Sequence, residues 1–211
     1  MTFTNPPRLR GHLHFIGTLV SPFALLVLLI IADSPRSFVG AAIFGSALIL
    51  LHGTSASYHL LRWQRLRSLD HSMIFIFIAA TYTPFTLKIM GNGWGITLLS
   101  VVWGVAGVGV ALTVANRRSF RWFLLGLYFT LGWLALVAVT QLVKALPAEA
   151  FVALVISGVV YSIGGVVYAT RRPDPWPSVF GYHEVFHGLV MIATLLIYLV
   201  IAFYVLPFPF Y

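Results

Sequence analysis

The side chains in this sequence that could carry chemistry are mostly histidines, and two of them have the spacing of metal ligands. His183 and His187 lie four positions apart, so on a helix they share one face and can bind a single metal ion. The segment reads H-E-x-x-H, the signature of zinc metalloproteases, in which Glu184 is the general base. A third histidine from another helix would instead give a three-histidine site with an open position, as in catalytic zinc sites.

A second group of residues offers that third ligand and groups for proton transfer. Ser55 and His59 have the same four-residue spacing, and Asp70 lies at the start of the next predicted helix. Asp70 could also cap its helix, and Ser55 could bond to its own helix backbone. Both alternatives stay open at this point. Four further histidines receive no role: His52 lies two turns from His59 on the same stripe, and His12, His14 and His71 are interpreted as interfacial.

The composition places these residues in a membrane. Of the 211 residues, 60% are hydrophobic and 9% are charged, whereas soluble domains carry about 25% charged residues. The chain has no cysteine, which excludes a disulfide framework and leaves His, Asp and Glu as metal ligands. Its net charge of +8 comes from basic residues in short gaps between apolar runs. That placement favours contact with an anionic membrane surface and argues against nucleic acid as a partner.

Seven apolar segments are long enough to span a bilayer, which needs roughly 20 helical residues. They cover residues 12–32, 37–61, 69–88, 94–114, 121–143, 151–170 and 183–206. The runs are continuously apolar, not alternating, which favours helices over a β-barrel. The sequence therefore predicts an all-α bundle of seven transmembrane helices, formed as a single domain over residues 1–211, with Pro84 kinking the third helix.

The basic residues predict the orientation of the bundle. Most lie in the N-terminal segment and in the second, fourth and sixth gaps: Arg8, Arg10, Arg62, Arg65, Arg67, Arg117, Arg118, Arg121, Arg171 and Arg172. The alternate gaps hold only Arg36, Lys88 and Lys144. The positive-inside rule then places the N-terminus in the cytoplasm and the C-terminus outside, and we expect the protein in the cell membrane. His59, Asp70, His183 and His187 would all lie near the inner leaflet.

At these residues the sequence resembles the hemolysin III family, part of the wider progestin and adiponectin receptor (PAQR) family. Three blocks carry the likeness: S-A-S-Y-H at residues 55–59, L-D-H-S-M-I at 69–74 running on to A-T-Y-T-P-F at 80–85, and H-E-V-F-H at 183–187. The resemblance implies a zinc ion held by His59, His183 and His187, with Asp70 and Ser55 acting through water at the zinc or as partners of the residues that bind it. It argues against Glu184 as an essential base, because relatives can carry Gln there.

The resemblance also implies a class of activity. We expect a zinc-dependent hydrolase of a lipid amide or ester, similar to ceramidases, in which zinc lowers the pKa of water and polarises a carbonyl oxygen. Asp70 would accept a proton, and Ser55 would hold Asp70 or the developing oxyanion. The partners would be membrane lipids, either a fatty acid or a sphingolipid or ceramide-like molecule. Small residues of the fourth and sixth spans are expected to line an acyl-sized cavity.

Three alternatives remain open on the sequence alone. The zinc could be structural, in a lipid sensor or regulator of membrane homeostasis that turns nothing over. The family name also suggests a cytolysin or channel, although no continuous polar stripe runs along the spans, and assembly into homo-oligomers stays open. The third alternative is the intramembrane metalloprotease with Glu184 as its base.

Overall fold

A computed structural model describes residues 6–91, 93–115 and 121–208. Within these residues, seven helical segments are long and apolar enough to cross a membrane, which confirms the predicted seven-helix bundle. They are His12–Ile31, Pro35–Leu61, Gln64–Ile89, Gly93–Val114, Trp122–Ala145, Ala148–Thr170 and Tyr182–Val205. Part of the charge pattern used for the orientation, Arg117 and Arg118, lies outside the described residues.

The α-helices, in chain order, have the following bounds: α1 His12–Ile31, α2 Pro35–Leu61, α3 Arg67–Pro84, α4 Gly93–Val114, α5 Arg121–Trp133, α6 Val139–Ala145, α7 Ala148–Thr170 and α8 Tyr182–Val200. Large apolar side chains on their outer faces are exposed, among them Phe23, Ile30 and Phe203. Such faces are expected where helices meet lipid, since hydrocarbon tails solvate them as well as a protein core does.

Three spans depart from regular α-helix. The third, for which a kink at Pro84 is predicted, changes at that residue and continues as the π-helical turn Phe85–Ile89. The sequence predicts the fifth span as one helix, but a 3-10 segment, Leu134–Ala138, separates α5 from α6. The seventh ends in a second π-helical turn, Ile201–Val205. Proline lacks the N–H that would bond to the preceding turn, which accounts for the first of these changes.

The packing of the helices brings the first and last spans together. Consecutive helices from α1 to α4 lie side by side, as do α7 and α8, and α1 also contacts α8. The third span is the most buried of the seven and the fifth is the least buried. Contacts from α5 and α6 to their neighbours are sparse, which leaves space inside the bundle between them and the remaining helices.

Each end of the bundle is fixed by polar contacts. At the histidine-bearing end, the backbone N–H groups of Arg8 and Leu9 donate to the carbonyls of Ser178 and Val179, at 3.0 and 3.1 Å. This pairing ties the N-terminal segment to the loop before α8. At the other end, the buried Lys88 ammonium forms an ion pair with Asp33 in the loop between α1 and α2.

Candidate metal centre

Three histidines from α2 and α8 meet at one end of the bundle. His59 lies in the last turn of α2, while His183 and His187 lie in the first two turns of α8. One ring nitrogen from each lies within 4.8 Å of the other two. The Nε2 atoms of His59 and His183 are 3.2 Å apart. The predicted four-residue spacing therefore places both α8 rings on the face that meets α2.

One pair of these rings has the spacing expected of two ligands of a tetrahedral metal ion. Zinc binds imidazole nitrogen at about 2.0–2.1 Å, so two such ligands lie about 3.3 Å apart, close to the separation of the His59 and His183 nitrogens. The Nε2 atom of His187 is buried and has no hydrogen-bond partner among the described residues. A buried nitrogen without a partner is costly, and a metal ion between the three rings would satisfy it.

Asp70 and Ser55 line the same cavity as the histidines. Asp70 lies in the first turns of α3, but the residue before that helix is Leu66 and no side chain caps it. The capping alternative for Asp70 is therefore not what the structure contains. Ser55 is buried, and its Oγ has no hydrogen-bond partner among the described residues, so it does not bond to its own helix.

Glu184 is held by two structural contacts. Its Oε1 forms an ion pair with Arg10, and its Oε2 accepts a 2.9 Å hydrogen bond from the backbone N–H of Gly181 at the start of α8. The side chain is 1% exposed. Both carboxylate oxygens are occupied by structural partners, which leaves this residue poorly suited to act as a general base.

A cavity of about 1150 Å³ begins at the histidines and continues through the bundle. It is larger than the about 300–1,000 Å³ typical of small-molecule sites. Arg10, Arg67 and Arg171 line it near the histidine end, and Phe85, Met90, Leu98 and Ile197 are among its lining residues farther along. Its walls are mostly apolar, so its chemistry suits an apolar ligand.

The small residues that line this cavity come from only one of the two predicted spans. Gly158, Ser162 and Gly165 of α7 are lining residues. The α4 lining consists of Leu98, Leu112 and Thr113. A Cβ added at the α4 glycines Gly104 and Gly107 would have nothing within 4 Å, so these glycines face away from the bundle. The expectation that small residues of the fourth span shape the cavity is therefore wrong.

Two further histidines belong to the cluster, and their burial corrects the sequence interpretation. The interpretation of His14 as interfacial is wrong, because its side chain is only 2% exposed. Its Nε2 lies 2.6 Å from His187 Nδ1 and its Nδ1 lies 2.8 Å from His52 Nδ1. A polar residue within an apolar span is expensive and usually functional. That rule indicates a functional histidine on the predicted first helix, but it applies to His12 and His14 alike.

The remaining two histidines differ from one another. His12, two positions before His14 on α1, is exposed. His71, next to Asp70, is half-buried and lines the cavity. Its backbone carbonyl accepts a 2.9 Å hydrogen bond from the Tyr128 hydroxyl of α5. Neither belongs to the group of three that could hold a metal ion.

Comparison with known proteins gives matches along most of the chain. The sequence profile described as "Haemolysin-III related" matches residues 1–198. The chain is 31% identical over 204 residues to the hemolysin-3 homolog of Bacillus subtilis, covering 93% of each chain. It is 30% identical to hemolysin-3 of Bacillus cereus, covering 92% of this chain and 89% of that protein. Heptahelical transmembrane protein 5 of Arabidopsis thaliana is 30% identical over 75% of this chain and 46% of its own length. No solved structure matches the chain.

Proposed function

Because this chain belongs to the haemolysin-III related family of multi-pass membrane proteins, we propose that it is a zinc-dependent hydrolase of membrane lipids. The bond it cleaves is the amide or ester of a long-chain acyl group, as in ceramide-like lipids. The observation that carries the proposal is the meeting of three imidazoles, one with a buried nitrogen that has no partner among the described residues, at the head of a long apolar cavity.

The chain's own residues divide the work of the site. His59, His183 and His187 would hold the zinc, which when bound lowers the pKa of water and polarises a carbonyl oxygen. Asp70 accepts a proton from the attacking water and returns it to the leaving amine or alcohol. The Ser55 hydroxyl donates to the oxyanion that develops on the carbonyl or orients Asp70.

The cavity accounts for the kind of substrate. The acyl chain occupies the apolar part lined by residues such as Phe85, Met90 and Leu98, which keeps it away from water. The scissile carbonyl then stays at the histidine end, beside Asp70. Arg67 and Arg171 line that end, where a carboxylate product is formed and can be drawn outward. With the N-terminus in the cytoplasm, the reaction takes place at the inner leaflet of the cell membrane.

The contacts of Glu184 disfavour the metalloprotease. Its carboxylate is bound by Arg10 and by the start of α8, so a general base at this position would first have to break an ion pair. Asp70 lines the cavity and forms no ion pair within the part of the chain that the structure describes, which makes it the better base. We therefore assign the H-E-x-x-H segment two zinc ligands and one structural carboxylate.

The test combines metal analysis with a lipid assay. The full chain, purified in detergent, is expected to contain about one zinc per molecule, and His187→Ala none. In mixed micelles, wild-type protein should release free fatty acid from ceramide or from another lipid amide or ester, measured by mass spectrometry. Bound zinc without release of fatty acid from any of these lipids would contradict the hydrolase and favour a lipid sensor. Absence of zinc from protein purified with added zinc would contradict both hypotheses.

A further inference from the structure

We infer that His14 is a positioning residue, which fixes the orientation and tautomer of His187 and is itself held by His52. The inference rests on the zinc site of the proposed function and concerns residues outside that site. His14 comes from α1, whereas the proposed ligands come from α2 and α8. The first helix would therefore contribute to metal binding without touching the metal.

The observation is an uninterrupted line of three buried imidazoles. His187 Nδ1 lies 2.6 Å from His14 Nε2, and His14 Nδ1 lies 2.8 Å from His52 Nδ1. The side chains of His187, His14 and His52 are 7%, 2% and 4% exposed. The His14 and His187 rings meet edge to face, with centroids 4.3 Å apart, as expected when a ring nitrogen of each is directed at the other.

The tautomers of all three rings follow from the role of His187 at the metal end of the line. A neutral imidazole has one N–H donor and one acceptor nitrogen. If His187 Nε2 uses its lone pair for a metal, the proton of His187 is on Nδ1 and is donated to His14 Nε2. His14 then carries its proton on Nδ1 and donates it to His52 Nδ1. Every contact pairs one donor with one acceptor, so a single set of tautomers satisfies the whole line.

At the opposite end of the line, a glycine on α1 leaves room for the His52 ring. Gly17 lies three positions after His14 on the same side of α1, and a Cβ at Gly17 would lie 2.7 Å from ring atoms of His52. Atoms this close must move apart, so the absence of a side chain at Gly17 is what lets the His52 ring fit between α1 and α2. An alanine there would displace His52 from His14 while leaving every histidine in the chain.

A residue that hydrogen-bonds to a metal ligand raises metal affinity by holding the ligand ring in place. Loss of such a residue typically weakens metal binding by about 10–100-fold. A ring that acted only through its rigid planar shape would behave differently, because the flexible side chain of glutamine would not reproduce that shape. Glutamine offers both an acceptor and a donor. It can therefore replace both hydrogen bonds of His14, whereas alanine can replace neither.

The experiment measures zinc affinity of the full-length chain in detergent, by competition with a chromophoric chelator. We expect His14→Ala to weaken binding by about 10–100-fold, His14→Gln to recover most of the loss, and Gly17→Ala to weaken binding as well. The matched control is His12→Ala on the exposed side of α1, which should bind as wild type does. The visible absorption of bound Co²⁺ should show altered geometry in His14→Ala and the wild-type spectrum in His14→Gln.

The outcomes separate this inference from the proposed function. Wild-type protein that binds no zinc would remove the metal site, and the positioning role with it. Zinc binding by wild type with unchanged affinity in His14→Ala would overturn only the positioning role. An equal loss in His14→Ala and His14→Gln, with both folded, would also overturn it. If His14→Ala does not fold, His52→Ala takes its place under the same criteria, since it removes only the far end of the line.

Discussion

The Nε2 atoms of His59 and His183 lie 3.2 Å apart, although 124 positions separate the two residues in the chain. Two ring nitrogens converge in this way either through a hydrogen bond between them or through a shared ligand. A hydrogen bond would satisfy this pair but would leave the buried His187 Nε2 without a partner among the described residues. A shared metal ion satisfies all three rings, and the first prediction tests that difference.

Replacing His59 by alanine should abolish stabilisation by zinc. At a free zinc concentration 100 times the dissociation constant, a single site raises the free energy of unfolding by about 2.7 kcal/mol. We expect this gain in wild type and none in His59→Ala, measured as the zinc-dependent change in thermal unfolding. His71→Ala is the matched control, because His71 lines the cavity outside the group of three, and it should keep the gain. An equal zinc response in His59→Ala would contradict the assignment.

Asp70→Asn should remove turnover while leaving zinc in place. An amide cannot accept the proton of water, so we expect kcat for lipid hydrolysis to fall by about 10²–10⁴-fold. Ser55→Ala should lower kcat by about 10²–10³-fold if the hydroxyl stabilises the oxyanion. Ser72→Ala, a buried serine two positions from Asp70 that does not line the cavity, should retain activity. Substantial hydrolysis by Asp70→Asn would mean that another group is the base.

Glu184→Gln should lower the stability of the protein but have little effect on the rate of lipid hydrolysis. The change removes the charged partner of Arg10 and leaves that guanidinium inside the protein, at a cost on the order of 1–3 kcal/mol. We expect a lower unfolding temperature, and lipid hydrolysis per folded molecule within a few-fold of wild type. The metalloprotease hypothesis predicts the reverse, with stability retained and all activity lost. Unfolding and turnover measured on the same sample would decide between them.

Gly158→Leu should shorten the acyl chains that the protein accepts. Gly158 lines the cavity, and a Cβ there would meet Trp133 at 3.6 Å, an ordinary contact, so a larger side chain can extend only into the cavity. We expect the rate ratio of long-chain to short-chain substrates to fall by about tenfold or more. Gly104→Leu on the exposed face of α4 is the control. An identical chain-length profile in both variants would mean that the cavity does not hold the chain.

The ion pair between Asp33 and Lys88 should make stability depend on acid pH. Hydrogen bonds from the Lys88 ammonium and the Ser37 hydroxyl lower the pKa of Asp33. A lowered pKa in the folded state contributes stability above the ordinary pKa of an aspartate, and this contribution is lost as the pH falls through the folded value. Wild type should therefore lose thermal stability below about pH 4 more steeply than Asp33→Asn. Parallel curves for the two proteins would contradict this role.

Hydropathy was enough to predict the fold, because seven apolar runs of spanning length leave little choice of architecture. It could not predict the interruption at Leu134–Ala138 or the π-helical turn Ile201–Val205. Transfer into lipid depends on side-chain polarity and on satisfied backbone groups, and 3-10 and π turns satisfy the backbone nearly as well as an α-helix does. Only Pro84 marked its interruption in advance, because proline removes a backbone donor.

The histidine cluster likewise has one part that the sequence predicts and another that depends on tertiary packing. The spacing of His183 and His187 is a local property, so the sequence was sufficient to place them on one helical face. The role of His14 depends on α1 lying against α2 and α8 at that depth, which is a matter of tertiary packing. The exposed His12 and the buried His14 are two positions apart, and nothing in the local sequence indicates which of the two faces the bundle interior.

The ion pair of Arg10 with Glu184 and the contact of His14 with His187 each join the beginning of the chain to its last helix, across 174 and 173 positions. During synthesis, α8 enters the membrane after the other six described spans, and until it does Arg10 and His14 have nothing of α8 to bind. If the proposed function is correct, a nascent chain that lacks α8 would therefore have neither a complete zinc site nor the capacity to attack lipids of the membrane that receives it. Under the proposed function, insertion of α8 would then be the step that switches the activity on.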